Sequence, residues 1–372
     1  MGLLRFFLAY VVLLSHCPEG LLPKIFHSSL AVQCFFTISG FYMQLLMTEK
    51  YKWQNPSEFY KGFYISRVLR IFPVYLIILF ISFIFLNKGN LYVINSSGNI
   101  GELFTYISSN LLIDFSLAEF FYYGITDPSD INHATNYNIL VQAWSLDLEI
   151  LFYILTPFIL TIKNTKIIFA MILSSILLRF ILAFNGYNYT LNHFWTHSFF
   201  PTELSTFLLG SLAYRFYYKY KKNIFDMNSN LKKIIVFFVL FASVYLFYKN
   251  FGNPLNTNEF KYLGGNWDQG IFGVPNTYWL IILTNALIIP FLFDLSKKSN
   301  LDTFIGHLSY PLYICHFSVL LFVQKLNVDE YMISSYTLFF TVILSIILVI
   351  FVEKPINKYR HRKFYTVDKF RK

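Results

Sequence analysis

Apolar residues form long runs along this chain, and ten of the runs are long enough to cross a lipid bilayer as a helix. Polar and charged residues are concentrated in the segments between these runs. The pattern predicts an all-α fold, a polytopic membrane protein with about ten transmembrane helices. The predicted spans lie near residues 2–18, 29–47, 69–87, 139–162, 165–184, 199–218, 233–249, 277–295, 303–323 and 332–352.

The positions of the basic residues predict how these helices are oriented. If both termini are cytoplasmic, most lysines and arginines lie on the cytoplasmic side, as the positive-inside rule requires. Five lysines would face outward, namely Lys24, Lys88, Lys249, Lys261 and Lys325. Segment 101–125 is the weak point of this topology, because Glu102, Asp114 and Glu119 favour an interfacial or re-entrant helix there. A true span at that place would invert every helix that follows.

The composition agrees with a membrane protein, since 56% of the 372 residues are hydrophobic and only 13% are charged. The lipid bilayer is therefore an expected partner. The basic cytoplasmic rim explains the net charge of +10, so we expect no nucleic acid partner. Cys17, Cys34 and Cys315 lie in apolar runs without metal or disulfide spacing, and we expect packing residues and no bound metal. We divide the chain into an integral membrane domain, 1–356, and a short basic cytoplasmic tail, 357–372.

Two ionisable residues, Arg5 and His16, lie within the first apolar run. Eleven residues of α-helix advance about 16 Å and return to nearly the same face, so both side chains would lie on one side of the helix. Ionisable groups are costly to place inside a bilayer. Arg5 and His16 are therefore candidates for function.

Two further arginines, Arg67 and Arg70, lie at the predicted cytoplasmic start of the third run. Their spacing of three residues places both guanidinium groups on one helical face. Guanidinium groups bind phosphates bidentately, which suits a nucleotide-type ligand such as coenzyme A. The alternative is that the pair anchors the helix by reaching to lipid phosphates.

A carboxylate and a second histidine lie in later apolar runs. Glu149 lies about one turn into its helix and should be paired with a cation or held neutral, with Arg5, Arg179 and His16 as candidate partners. A purely structural ion pair is the alternative. His316 lies in the ninth run, where a lone histidine is more often a hydrogen-bonded packing residue than a catalytic one.

Two predicted outer loops, 185–199 and 250–276, are long enough to contact a ligand. They contain His193, Trp195 and Trp267. Aromatic and polar side chains together suit a sugar, which offers C–H faces and hydroxyls. The alternative is an ordinary belt of interfacial aromatic residues with turns.

Seven short segments follow one another in a recognisable order. They are Arg5 through His16, Phe35-Phe36-Thr37-Ile38-Ser39-Gly40-Phe41, Arg67-Val68-Leu69-Arg70-Ile71-Phe72-Pro73-Val74-Tyr75, Trp144-Ser145-Leu146 with Glu149, Phe152 and Tyr153, Phe207-Leu208-Leu209-Gly210, Ser309-Tyr310 with Tyr313 and His316, and Glu353 with Pro355. In this order they resemble the acyltransferase 3 family of integral membrane acyltransferases, in the short form without a fused esterase-like domain. One departure is Gln33, where members often have an acidic residue.

The resemblance implies transfer of an acyl group, commonly acetyl from acetyl-CoA, to a hydroxyl of a cell-surface or lipid-linked glycan at the bacterial inner membrane. We assign His16 as general base or transient acyl carrier, since imidazole is the usual base near neutral pH. His316 competes for this role, and Glu149 would orient or neutralise a cation. The donor would be bound by Arg5, Arg67 and Arg70. The acceptor would be bound by His193, Trp195 and Trp267.

Two other classes of protein remain as alternatives. A transporter or flippase for a lipid-linked saccharide would also retain intramembrane charges and outward aromatic loops. Transporters commonly have internal repeats and interrupted helices in corresponding halves, and the sequence has neither. The third class is a catalytically silent membrane scaffold. The four ionisable residues Arg5, His16, Arg67 and Arg70 argue against it.

Overall fold

The structure is a computed structural model that describes residues 1–25, 28–50, 56–86, 107–113, 139–185, 199–224, 226–251 and 276–364. Every regular element in these ranges is helical. The long helices are α1 (Gly2–His16), α2 (Ser28–Leu45), α3 (Pro56–Leu86), α4 (Trp144–Ile159), α5 (Thr165–Phe184), α6 (Phe200–Tyr220), α7 (Ser229–Phe251), α8 (Asn276–Ser296), α9 (Asn300–Gln324), α10 (Ile333–Leu348) and α11 (Lys354–Phe364).

Each predicted span coincides with one helix, α1 to α10, so the all-α prediction is confirmed for the described ranges. Six helices are long and apolar enough to cross a membrane by length and composition: Ser28–Glu49, Ser57–Phe85, Thr165–Leu182, Trp279–Ser296, Asn300–Gln324 and Glu330–Phe364. Ten spans and two cytoplasmic termini stay predictions. Most of segment 101–125 lies outside the described residues.

The candidate site is built around α1, which packs against both α9 and α2. At the start of α1, the Asp302 carboxylate of α9 accepts hydrogen bonds from the backbone N–H groups of Gly2, at 2.8 Å, and Leu3, at 2.9 Å. These N–H groups have no partner within the helix itself, so an acceptor from a neighbouring helix satisfies them. The first turn of α1 is thereby attached to the first turn of α9.

Helices α2 and α6 cross at very short range because both have glycine at the crossing. A Cβ atom added to Gly40 would lie 1.8 Å from the backbone oxygen of Phe207. One added to Gly210 would lie 1.8 Å from the backbone oxygen of Thr37. Both glycines belong to segments that carry the family resemblance. Their role in the structure is to let two backbones touch.

We expect Gly40→Ala to destabilise the protein, because the added methyl group overlaps a backbone atom that cannot move without separating α2 from α6. Overpacking of this kind costs typically about 1–3 kcal/mol. The measurement is the midpoint of thermal unfolding in detergent. Ala170→Val is the control, since Ala170 is exposed on α5 and has room for two extra methyl groups. Equal midpoints for Gly40→Ala and the parent would contradict the close crossing.

The predicted tail begins inside a helix, since α11 extends from Lys354 to Phe364 and packs against α3. Arg360 is buried, and its Nε and Nη2 each donate to Ser66 Oγ at 3.2 Å. A guanidinium group donating to a buried hydroxyl holds the helix in place. The segment 357–364 is therefore part of the folded bundle, and 365–372 lies outside the described residues. Cys17, Cys34 and Cys315 are buried, as expected of packing residues.

Candidate functional site

The two candidate histidines lie against each other. His16 is the last residue of α1, and His316 lies in the middle of α9. Nε2 of His316 is 3.3 Å from Nδ1 of His16, and the ring centroids are 5.1 Å apart. The His316 side chain is buried, whereas His16 is exposed. The sequence offered these residues as competitors for one role, and the structure places them together as a pair.

Backbone carbonyls determine which nitrogen of each ring holds the proton. Nδ1 of His16 lies 2.8 Å from the Val12 oxygen, and Nδ1 of His316 lies 2.6 Å from the Tyr313 oxygen. A carbonyl oxygen only accepts, so in the neutral rings each Nδ1 is the donor and each Nε2 has the lone pair. Among the described residues, Nε2 of His16 has no hydrogen-bond partner. The exposed ring therefore presents a basic nitrogen.

The start of α4 and the short 3₁₀ helix just before it, Val141–Ala143, hold the turn of α9 that contains His316. Ser145 Oγ and the Tyr313 hydroxyl are 2.7 Å apart, and that hydroxyl also donates to the Gln142 oxygen at 3.0 Å. Gln142 Nε2 donates to the Ile314 oxygen at 2.6 Å. Gln142, Ser145 and Tyr313 had no role predicted from the sequence. The signal was present, because Ser145 and Tyr313 belong to the segments that resemble the family.

A second cluster surrounds Arg70, at the other end of α1 from His16. Arg70 Nη1 forms an ion pair with Glu353 Oε1 at 2.8 Å, and Glu353 Oε2 lies 3.2 Å from Nδ1 of His307. The Arg70 guanidinium also lies 5.4 Å from the centre of the Tyr310 ring. His307 could not be recognised from the sequence, and Glu353 was recognisable only as part of a motif. These contacts fix the Arg70 guanidinium in one position.

The other two arginines have different surroundings. Arg67 is buried, donates to Met43 Sδ at 3.9 Å and lies 5.6 Å from the centre of the Tyr153 ring. Arg67 and Arg70 therefore contact different neighbours, although their spacing predicted a shared face. Arg5 is half-buried and within electrostatic range of Arg70 and Glu353. In the described part of the chain its guanidinium forms no hydrogen bond or ion pair, so this cation is available to a ligand.

Glu149 is held by hydroxyl groups. Ser39 Oγ donates to Glu149 Oε1 at 2.9 Å, and the Tyr153 hydroxyl donates to the same oxygen. Of the two predicted states, paired with a cation or held neutral, the first finds no direct ion pair in the described residues. Arg5 is only within electrostatic range, and His16 contacts His316.

The third suggested partner of Glu149, Arg179, pairs with another acid. Its Nη2 lies 2.9 Å from Glu203 Oε1, and both side chains are 0% exposed. Gln33 Nε2 donates to the same carboxylate oxygen at 2.9 Å. An acidic residue at position 33 would place a second negative charge beside Glu203. An amide at position 33 therefore suits the neighbouring Glu203, because an amide can donate a hydrogen bond to a carboxylate. This accounts for the departure from the family pattern at Gln33.

The three residues predicted to bind the acceptor, His193, Trp195 and Trp267, lie outside the described residues. The site in the described residues therefore consists of the histidine pair, Glu149 and the arginine cluster, by which we mean Arg5, Arg67 and Arg70. All of these belong to helices that pack around α1, directly or through one neighbour.

Comparison with known proteins identifies the family. A family model described as "Acyltransferase domain" matches residues 1–353. Proteins of Staphylococcus aureus strains COL, MSSA476 and MRSA252, each named "Putative O-acetyltransferase", are 28% identical over 362 residues, which covers 88% of this chain and 52% of each relative. The chain thus spans about half the length of these relatives. No solved structure matches. With the family model covering nearly the whole bundle, the chain belongs to the acyltransferase 3 family.

Proposed function

We propose that this protein is a multi-pass O-acyltransferase of the bacterial inner membrane. It transfers an acyl group from acyl-CoA to a hydroxyl of a cell-surface or lipid-linked glycan, and the acyl group we propose is acetyl. The observation that supports this most directly is Nε2 of the exposed His16, which is unprotonated in the neutral ring and has no partner among the described residues, while Nδ1 of the same ring contacts the Val12 oxygen and Nε2 of His316. A sugar hydroxyl needs such a base before it can attack a thioester.

In direct transfer, the hydroxyl oxygen attacks the thioester carbonyl while its proton moves to Nε2 of His16. The C–S bond then breaks, and the proton passes from His16 to the leaving thiolate of coenzyme A. In the covalent route, Nε2 attacks the thioester carbonyl, the C–S bond breaks and coenzyme A leaves as its thiolate, which gives an acyl-imidazolium. The glycan hydroxyl then attacks the acyl carbon, the C–N bond to Nε2 breaks, and the hydroxyl proton passes to the thiolate. Either route places positive charge on the His16 ring. Its Nδ1–H, shared between the Val12 oxygen and Nε2 of His316, stabilises that charge.

The arginine cluster suits the polyanionic end of coenzyme A. Arg5 lies about 16 Å from His16 along α1, which is compatible with a pantetheine arm between bound phosphates and a thioester at the histidine. Arg70 is fixed by Glu353, and Arg5 has no such partner in the described residues. One pre-positioned cation and one available cation together favour a phosphate ligand.

The test of this function is transfer of label from radiolabelled acetyl-CoA to candidate glycans by the purified protein. We expect labelled glycan that depends on both substrates. A transporter or flippase would instead move a lipid-linked saccharide across a vesicle membrane without transferring label, and that result would replace the proposal.

We expect Arg5→Lys, Arg67→Lys and Arg70→Lys to weaken acyl-CoA binding, because a lysine cannot form the bidentate contact with a phosphate. Loss of one charged hydrogen bond corresponds to about 1–3 kcal/mol of binding free energy. The measurement is a titration with coenzyme A in detergent. Arg362→Lys is the matched control, since Arg362 is exposed on α11. Unchanged binding in all three variants would favour the lipid-anchor interpretation.

A further inference from the structure

Of the two carboxylate oxygens of Glu149, only Oε1 accepts hydrogen bonds from the part of the chain that the structure describes. Oε1 accepts hydrogen bonds from both Ser39 Oγ and the Tyr153 hydroxyl. Oε2 accepts none from the described residues, and it is not one of the buried side-chain atoms that lack a partner, so Oε2 is accessible. Two donors on a single oxygen fix the plane of the carboxylate. The half-buried side chain therefore presents a fixed and accessible acceptor inside the bundle.

The two donors to Glu149 lie next to the arginines on one side and to the histidine pair on the other. The Tyr153 ring centre lies 5.6 Å from the Arg67 guanidinium. Ser39 lies one turn after Phe35 on α2, the Phe35 ring centroid lies 6.0 Å from that of Tyr313, and the Tyr313 centroid lies 6.0 Å from that of His316. A donor with its phosphates at the arginines and its thioester at the histidines passes this carboxylate.

We propose that Oε2 of Glu149 accepts a hydrogen bond from an amide N–H of the pantetheine arm of acyl-CoA, an inference that rests on the proposed function. The arm has two secondary amides, and an amide N–H that enters an apolar interior without an acceptor costs a few kcal/mol. A carboxylate satisfies that N–H with a charge-assisted bond. Glu149 thus binds the donor and determines how far the thioester extends toward His16.

The test compares acetyl-CoA with an analogue in which each amide nitrogen of the arm is replaced by a methylene carbon. The analogue keeps the carbonyls and the length but has no N–H. For the parent protein we expect the analogue to have a KM about tenfold higher than acetyl-CoA, as expected for one lost charged hydrogen bond. For Glu149→Gln we expect the KM for acetyl-CoA to rise by about the same factor, and the KM for the analogue to stay at its parental value.

Two further variants test whether a rise in KM comes from altered folding instead of a lost hydrogen bond. Ser39→Ala keeps the carboxylate but removes one of the donors that fix it, so the KM for acetyl-CoA should rise slightly and that for the analogue should not. Glu58→Gln, at an exposed position in the first turn of α3, should leave both constants unchanged.

Two results would overturn the inference. If Glu149→Gln raises KM equally for both donors, the carboxylate does not contact an arm N–H. If it lowers kcat without changing either KM, Glu149 acts in the chemical step instead. A parent protein that neither binds nor uses acetyl-CoA would overturn the proposed function, and the inference with it.

Discussion

His16→Ala and His16→Gln should abolish acyl transfer while acyl-CoA binding stays close to that of the parent. The variants remove the exposed Nε2 but leave the arginine cluster at the opposite end of α1 intact. Base catalysis alone contributes about 10²–10⁴-fold in rate, and a covalent acyl carrier would be harder still to replace. The measurement is turnover at saturating acetyl-CoA, with binding titrated in parallel.

The neighbouring histidine provides the internal comparison. His316→Ala should reduce turnover less than the His16 variants do, because it removes an acceptor for Nδ1–H of His16 and leaves the base in place. His361→Ala, at an exposed position on α11, is the control for an unrelated histidine. Substantial activity in either His16 variant would refute the assignment. An inactive His316→Ala beside an active His16→Ala would move the reacting nitrogen to α9.

The Arg179–Glu203 pair should dominate the stability of the contact between α5 and α6. Both side chains are 0% exposed, so removing one of them leaves the other charge buried without its counter-charge. Breaking such a pair costs about 3–5 kcal/mol, whereas replacing both charges with apolar side chains costs much less. We therefore expect Arg179→Met and Glu203→Met each to unfold at lower denaturant than the double variant. Equilibrium unfolding in detergent measures all three free energies.

The control for this prediction is an ion pair that water reaches. Lys297 Nζ contacts the Asp294 carboxylate, and the lysine side chain is 33% exposed. Lys297→Met should therefore change the unfolding free energy by about 1 kcal/mol or less. If Arg179→Met were no more destabilising than Lys297→Met, burial would not be what makes the first pair important.

The helices could be predicted from the sequence because an apolar run longer than a bilayer's thickness is a local signal. α3 shows the limit of that signal, since it begins at Pro56, well before the apolar run near 69–87. α11 is a second example of this limit, because a segment so rich in lysine and arginine looks like a solvated tail in the sequence. Only the buried contact of Arg360 with Ser66, almost three hundred residues earlier, reveals that the segment is packed.

The site could be predicted residue by residue but not contact by contact. Arg5 and His16 were recognisable because charge inside an apolar run is rare. Their contacts with other helices could not be recognised, because partners such as Glu353 or His316 lie hundreds of residues away in the chain. The donors to Glu149 were missed for another reason, since hydroxyl groups are common and a serine or tyrosine in an apolar run does not look like a partner for an acid.

The contacts at the two ends of α1 constrain the number of residues between the contact points on α1 and on α9. α1 and α9 run in the same direction, and Asp302 meets Gly2 where they begin, just as His316 meets His16 further along. Fourteen residues separate the two contact points on each helix. A one-residue insertion in either helix would turn its histidine by about 100° and shift it by about 1.5 Å. Relatives that keep the histidine pair should therefore vary in these two intervals only together, with equal insertions or deletions in both.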